Sequence, residues 1–108
     1  MGIWSRHSFE KEIAGMGRIE AYMEIHYSDN NDRLSRLVWF NPDILDDTMK
    51  FRVDDIQGNP VIDKTYEKGT SGTDNLSGQE RIQLEVEIDE FGELRKLPAG
   101  WHWEWEFG

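Results

Sequence analysis

The sequence predicts a single all-β domain over residues 1–108: an antiparallel β-sandwich or small barrel of six or seven short strands, with at most one short N-terminal helix. Three observations predict it. Trp101-His102-Trp103-Glu104-Trp105-Glu106-Phe107 carries aromatics at every second position with polar groups between, and a period of two is the β-strand period. The same alternation recurs over Arg18–Tyr27 and Arg81–Asp89. Between such runs, clusters of Gly, Pro, Asn and Asp return about every ten residues, the spacing of turns in sandwiches and barrels.

Taken in order, Ser5–Met16 is ambiguous. Phe9, Ile13 and Met16 fall at helical spacing with Ser5 or Ser8 as a cap and Gly15 or Gly17 as a stop, yet a coil or an edge strand fits nearly as well. Over Arg18–Tyr27, Ile19, Ala21, Met23, Ile25 and Tyr27 share one face. A polar turn at Ser28–Asp32 follows. Leu34–Phe40 resumes as a strand, apolar on both faces and therefore central, and Asn41-Pro42 stops it. Ile44 and Leu45 are expected to anchor the connection that follows. Met49, Phe51 and Val53 alternate with Lys50 and Arg52, and Val61–Tyr66 returns after a turn at Asp54–Pro60, which reads as a hairpin.

Residues 69–78, all small or polar apart from Leu76, are expected to form a flexible loop. Arg81–Asp89 places Ile82, Leu84, Val86 and Ile88 inside. Glu90-Phe91-Gly92 is expected to turn the chain back as a three-residue hairpin loop, facing Arg95 to Glu87. The expected core draws on Ile19, Met23, Ile25, Val38, Phe40, Phe51, Val53, Leu84, Val86, Trp101, Trp103 and Trp105. Burying one large apolar side chain contributes roughly 1.5–3 kcal/mol, so the aromatic strand is expected to be a main anchor.

Charge and composition exclude several functions. Twelve Lys and Arg stand against 22 Asp and Glu, a formal net charge of −10. Residues 1–40 hold 5 bases and 6 acids, whereas residues 41–108 hold 7 and 16. Such a chain is repelled by phosphate backbones and anionic lipid, so neither nucleic acid nor membrane is the expected partner, and a protein with a basic surface is. With no cysteine there is no disulfide framework, thiolate metal site or thiol nucleophile. That absence fits a cytoplasmic location, in a bacterial host if the chain is viral. No apolar run reaches the roughly 18 residues needed to span a bilayer.

The strongest candidate site is an acidic exterior. Glu85, Glu87 and Asp89 lie on one face of their strand, Glu104 and Glu106 on one face of another expected nearby, and Asp54-Asp55 adds two more carboxylates. Same-face side chains repeat every ~6.7 Å along a strand, about twice the ~3.4 Å spacing of phosphates along a DNA strand, so such a ladder would present charge somewhat as a backbone does. His102 and Glu104 at i and i+2, joined by His26, are the one constellation with metal-ligand chemistry, and no metal is assigned because nothing brings their strands together. The calcium-loop spacing is not met at Asp29–Asp32 or Asp54-Asp55, and no nucleophile elbow, phosphate loop or zinc-protease motif occurs.

These readings make the expected function non-enzymatic, with no cofactor. The leading form is a small acidic protein-binding domain, such as a viral or mobile-element inhibitor of a basic nucleic-acid-binding protein. An assembly module of a virion or secretion particle, self-association included, is the second. The third is a glycan- or ligand-binding sandwich using Trp39, Tyr22 and the 69–78 loop.

Overall fold

The computed structural model describes residues 2–108. Nine strands run β1 (Gly2–Ile13), β2 (Gly17–Ser28), β3 (Arg33–Asn41), β4 (Met49–Asp54), β5 (Pro60–Tyr66), β6 (Thr70–Asn75), β7 (Glu85–Asp89), β8 (Gly92–Lys96) and β9 (His102–Phe107). They pair antiparallel into a four-stranded sheet, β1-β2-β3-β6, a three-stranded sheet, β5-β4-β9, and a separate hairpin, β7-β8. The two larger sheets pack as a sandwich, and the domain is all-β. Helical structure among the described residues is limited to single 3₁₀ turns at Asp43–Leu45 and Gly78–Glu80. The ambiguous N-terminal stretch is thus a strand. Its helical spacing is overridden by nine cross-strand partners on β2 from Ser5 to Ile13, Phe9 opposite Ala21 among them.

Alternation decides which side chains enter the core. Ala21, Met23 and Ile25 from β2 and Met49, Phe51 and Val53 from β4 are wholly buried and face one another with Leu34, Leu37 and Ile62. On β3 the inward set is Leu37, Trp39 and Asn41, so Val38 and Phe40 point outward and Phe40 is exposed, contrary to their expected core positions. The register of β2 on β3 shifts between His26 and Tyr27. Leu34 and Leu37 are both buried, three residues apart, on the strand facing that irregularity. In the connection after β3, Leu45 is buried and Ile44 is not.

Residues 69–78 are not a loop. Thr70–Asn75 is edge strand β6, paired along β3 from Asn41 opposite Thr70 to Arg36 opposite Asn75, and Leu76 beyond it is buried. Its glycine is a packing device: a Cβ on Gly72 would come 3.3 Å from the Trp39 ring. That ring stacks on Tyr66 with centroids 4.1 Å apart, and its Nε1 donates to Thr70 Oγ1 at 3.0 Å. Tyr66 in turn donates to Asp74 Oδ2 at 2.7 Å, which burial and the nearby carboxylates make a very weakly acidic hydroxyl.

The aromatic strand β9 is an edge strand, and its inner row meets β1 across the gap. His7 packs between Trp103 and Trp105 at centroid distances of 4.8 and 5.8 Å, and Phe9 stacks on Phe107 at 4.9 Å. The row faces inward as its period implies, but Trp101 and Trp105 are half-buried and Trp103 is exposed. Two edge strands leave the row a rim of the core rather than its centre. The radius of gyration, 15.2 Å, exceeds the roughly 13 Å of a compact domain of this length, so parts of the chain project from the sandwich.

Candidate functional site

The expected acidic ladder does not assemble on one surface. Glu104 and Glu106 lie on β9, whose neighbour is β4, and they stand directly opposite Arg52 and Lys50. Across β4, Asp63 and Thr65 on β5 complete the rows, giving a face of alternating sign around a shallow cleft of about 290 Å³. Asp54 pairs with Arg52 at 2.7 Å, and that hydrogen bond, with Asp63 and Glu104 behind it, raises the guanidinium pKa. Asp55 shapes the β4–β5 turn: its Oδ1 accepts the backbone N–H of Gln57 and of Asn59, both at 2.9 Å. The spacing of acids on β9 was legible in the sequence. The bases opposite them were not, because pairing β9 with β4 joins segments some fifty residues apart.

Glu85, Glu87 and Asp89 belong to the projecting hairpin. Only Ile82 and Leu84 of the expected 81–89 strand are buried, where Leu34 N–H donates to Ile82 O and Leu84 N–H to Asp32 O. Beyond Glu85 the sole neighbour is β8, so Val86 and Ile88 leave the core, Ile88 with 79% of its surface exposed. The turn is two residues, Glu90-Phe91, closed by Gly92 at φ +125°, and Asp89 Oδ1 accepts the Phe91 N–H at 2.8 Å. A loop one residue shorter than expected slips the register. Arg95 therefore stands opposite Val86, and Glu87 is bridged instead by Lys96 at 2.9 Å.

A lone two-stranded hairpin is marginal in water, and this one is held at its base. Arg95 Nε donates to Asp32 Oδ1 at 2.9 Å and its Nη1 to the Tyr27 hydroxyl at 3.2 Å. Its guanidinium lies 4.3 Å over the Tyr27 ring, and Trp4 Nε1 donates to the Arg95 carbonyl at 2.9 Å. Both basic residues of the hairpin are thereby engaged within the domain, while Ile88, Phe91 (91% exposed) and Leu94 (48% exposed) face solvent among Glu85, Glu87, Asp89, Glu90 and Glu93. Sequence reasoning found the acids here but assigned the apolar residues to the core, since alternation reports which side chains share a face and not whether a second sheet covers it.

The outer face of the four-stranded sheet carries a second apolar surface, a groove of about 400 Å³ formed by Met16, Tyr22, Phe40, Pro42 and Ile44 beside Arg18 and Glu20. The proposed glycan platform loses its main ring, because Trp39 is stacked on Tyr66 and packed against Gly72. The weighed His/Glu constellation is split: His26 bonds Glu24 at 3.1 Å on the outer face of β2, while His102 and Glu104 lie on β9 in the other sheet. Among the described residues no group of three or more His, Asp or Glu is placed to hold a metal ion, and no helix is long and apolar enough to cross a membrane.

No protein-family model matches the chain, and no curated protein matches it. Among solved structures it is similar to the variable domain of the Streptococcus agalactiae AgI/II polypeptide BspA. The two share 13% identity over 100% of this chain and 75% of that one, with a TM-score of 0.44. So distant a likeness says nothing of what this domain binds.

Proposed function

We propose that this is a non-enzymatic protein-binding domain whose docking element is the β7–β8 hairpin, and that its partner offers a basic surface with an apolar recess. The observation that carries the reading is the hairpin's composition: Phe91 at the tip and Ile88 and Leu94 on the strands, all exposed, set among five carboxylates. Exposed apolar clusters rimmed by charge mark interaction surfaces. A buried aromatic anchor contributes most of the binding energy at such contacts, while surrounding charge sets on-rate and orientation. A nucleic-acid-binding protein is one bearer of a basic surface, and occupying that surface would inhibit it. Extended phosphate mimicry is the weaker form of the idea, because Glu104 and Glu106 sit among bases on another sheet.

Affinity capture from the native host with wild type, Phe91→Ser and a Glu87→Lys/Asp89→Lys double variant tests the reading. The expected result is a basic partner retained by wild type, lost with Phe91→Ser, and weakened by the double variant and by rising salt. A partner captured equally by all three overturns it. An assembly role draws instead on the groove at Tyr22, Phe40 and Ile44, and self-association abolished by Phe40→Ser is its signature.

A further inference from the structure

At one end of the sandwich, where the 78–83 segment and the Pro98–Trp101 turn meet the start of β3, lies an open groove of about 400 Å³. Its walls are Val61, Ile82, Pro98 and Trp101, and two guanidinium groups, Arg33 and Arg81, share it. Clefts or cavities of roughly 300–1,000 Å³ with an apolar lining and a few convergent polar groups are the usual form of small-ligand sites.

The two arginines belong, with Lys11, Arg36 and Lys50, to the basic residues that make no ion pair among the described residues, and they are the pair that shares one groove. The protein holds 22 acids, and most of its lysines and arginines face a carboxylate: Arg6, Arg52, Lys64, Arg95 and Lys96 all do so at 2.7–2.9 Å. Arg33 and Arg81 make no ion pair among the described residues. Arg33 Nη1 reaches only the backbone carbonyl of Arg81, at 3.4 Å, and Arg81 Nε is buried without a hydrogen-bond partner. A buried donor left unpaired is costly. The acid on the groove wall, Asp55, has its Oδ1 committed to the amides of Gln57 and Asn59.

We infer that the groove bounded by Arg33, Arg81 and Trp101 binds a carboxylate attached to an apolar body, the carboxylate meeting the two guanidiniums and the body packing on Trp101, Val61, Ile82 and Pro98. A guanidinium presents N–H donors in a planar fork matched to carboxylate oxygens, and neither guanidinium here is already held by an acid among the described residues. The site stands on its own residues, independent of the hairpin.

Two sources offer this chemistry, a free organic acid and the C-terminal residue of a peptide chain. Titration of the ¹⁵N-labelled protein with phenylacetate, its neutral amide phenylacetamide, and N-acetylphenylalanine tests the site. Both acids are expected to shift the Trp101 indole and Arg81 Nε–H resonances saturably, the amide at least about tenfold more weakly. Tighter binding of N-acetylphenylalanine assigns the ligand to a chain terminus, and tighter binding of phenylacetate to a free acid. Arg33→Gln and Arg81→Gln are each expected to weaken the acids on the order of tenfold, with Lys68→Gln neutral; Arg33, being exposed, is replaceable without loss of packing. Equal shifts from acid and amide, shifts that grow without saturating, or unchanged affinity in both arginine variants would overturn the inference.

Discussion

The carboxamide of Asn41 donates to the backbone carbonyl of Tyr66 at 3.0 Å, across the gap between the two sheets. The same Nδ2 donates to the Asp47 carbonyl at 2.9 Å, and the residue is 1% exposed. One side chain therefore ties the end of β3 to the lead into β4 and the end of β5. Asn41→Ala and Asn41→Leu are both expected to destabilise the domain by about 1–3 kcal/mol, because either leaves the buried Tyr66 carbonyl without a donor and frees the Asp47 carbonyl at the sheet end. Urea denaturation checks this: the midpoint falls in both variants with the slope unchanged. A leucine variant as stable as wild type would show that packing, not the two hydrogen bonds, is what matters at this position.

A histidine between two indoles gives the fold a pH dependence of known sign. Burial against Trp103 and Trp105 lowers the His7 pKa below its ordinary value of about 6.5. The unfolded chain therefore takes up this proton first as pH falls. The stabilisation is complete above about pH 6.5 and is lost as pH drops from there toward the folded value. His7→Phe keeps an aromatic ring in the slot and removes the titration. Urea midpoints compared at about pH 7.5 and about pH 5 should fall more for wild type than for His7→Phe, the carboxylate contributions being common to both. An equal fall in the two proteins would remove His7 from the acid response.

The strands on which one face is fully buried were legible from alternation alone. Ala21, Met23 and Ile25 and then Met49, Phe51 and Val53 alternate in the sequence and are wholly buried in the structure. What alternation does not encode is the identity of the covering layer. Val86 and Ile88 continue the pattern of Ile82 and Leu84, but the strand leaves the sandwich at Glu85 and nothing lies over it. β6 was illegible for the opposite reason. Thr70–Asn75 contains no apolar residue, and it is a strand because β3 offers it an unpaired edge and Trp39 needs a small neighbour at Gly72. The acids were assigned to outward faces correctly, yet their partners Lys50, Arg52 and Lys96 depend on pairings and registers that composition does not carry.

Arg95 decides whether the hairpin has a fixed position. Its side-chain contacts to Asp32 and Tyr27 join the Trp4 indole N–H on its carbonyl as the polar links between β8 and the sandwich, and the remainder of the hairpin is exposed. Arg95→Leu is expected to release the hairpin while leaving the sandwich folded. Amide hydrogen exchange reads this locally. Protection at Glu87, Asp89 and Leu94, whose amides lie in the hydrogen-bonded pairs of the hairpin, should collapse, with that of Met23 and Phe51 unchanged. Uniform loss of protection would instead make the hairpin part of the cooperative core.

Glu104 and Glu106 set the charge balance on the outer face of the three-stranded sheet. Were they members of a bare acidic stripe, reversing both to lysine would relieve repulsion and leave stability neutral or raised. The observed pairing predicts the other sign. Glu104 stands opposite Arg52 and Glu106 opposite Lys50, so the double reversal replaces two attractive cross-strand pairs with two repulsive ones. Exposure keeps the effect small, a fall in Tm on the order of 1–3 °C at low salt. Added salt should shrink the difference, since screening acts on exposed charges. Reversing Lys50 and Arg52 to glutamate in the same protein restores opposite signs across the strands and should recover most of the loss. Thermal unfolding of wild type and the two variants at two salt concentrations reads all of this. A double reversal that raises Tm would mean that the net negative charge of the domain, rather than the local pairing of β9 with β4, governs this face.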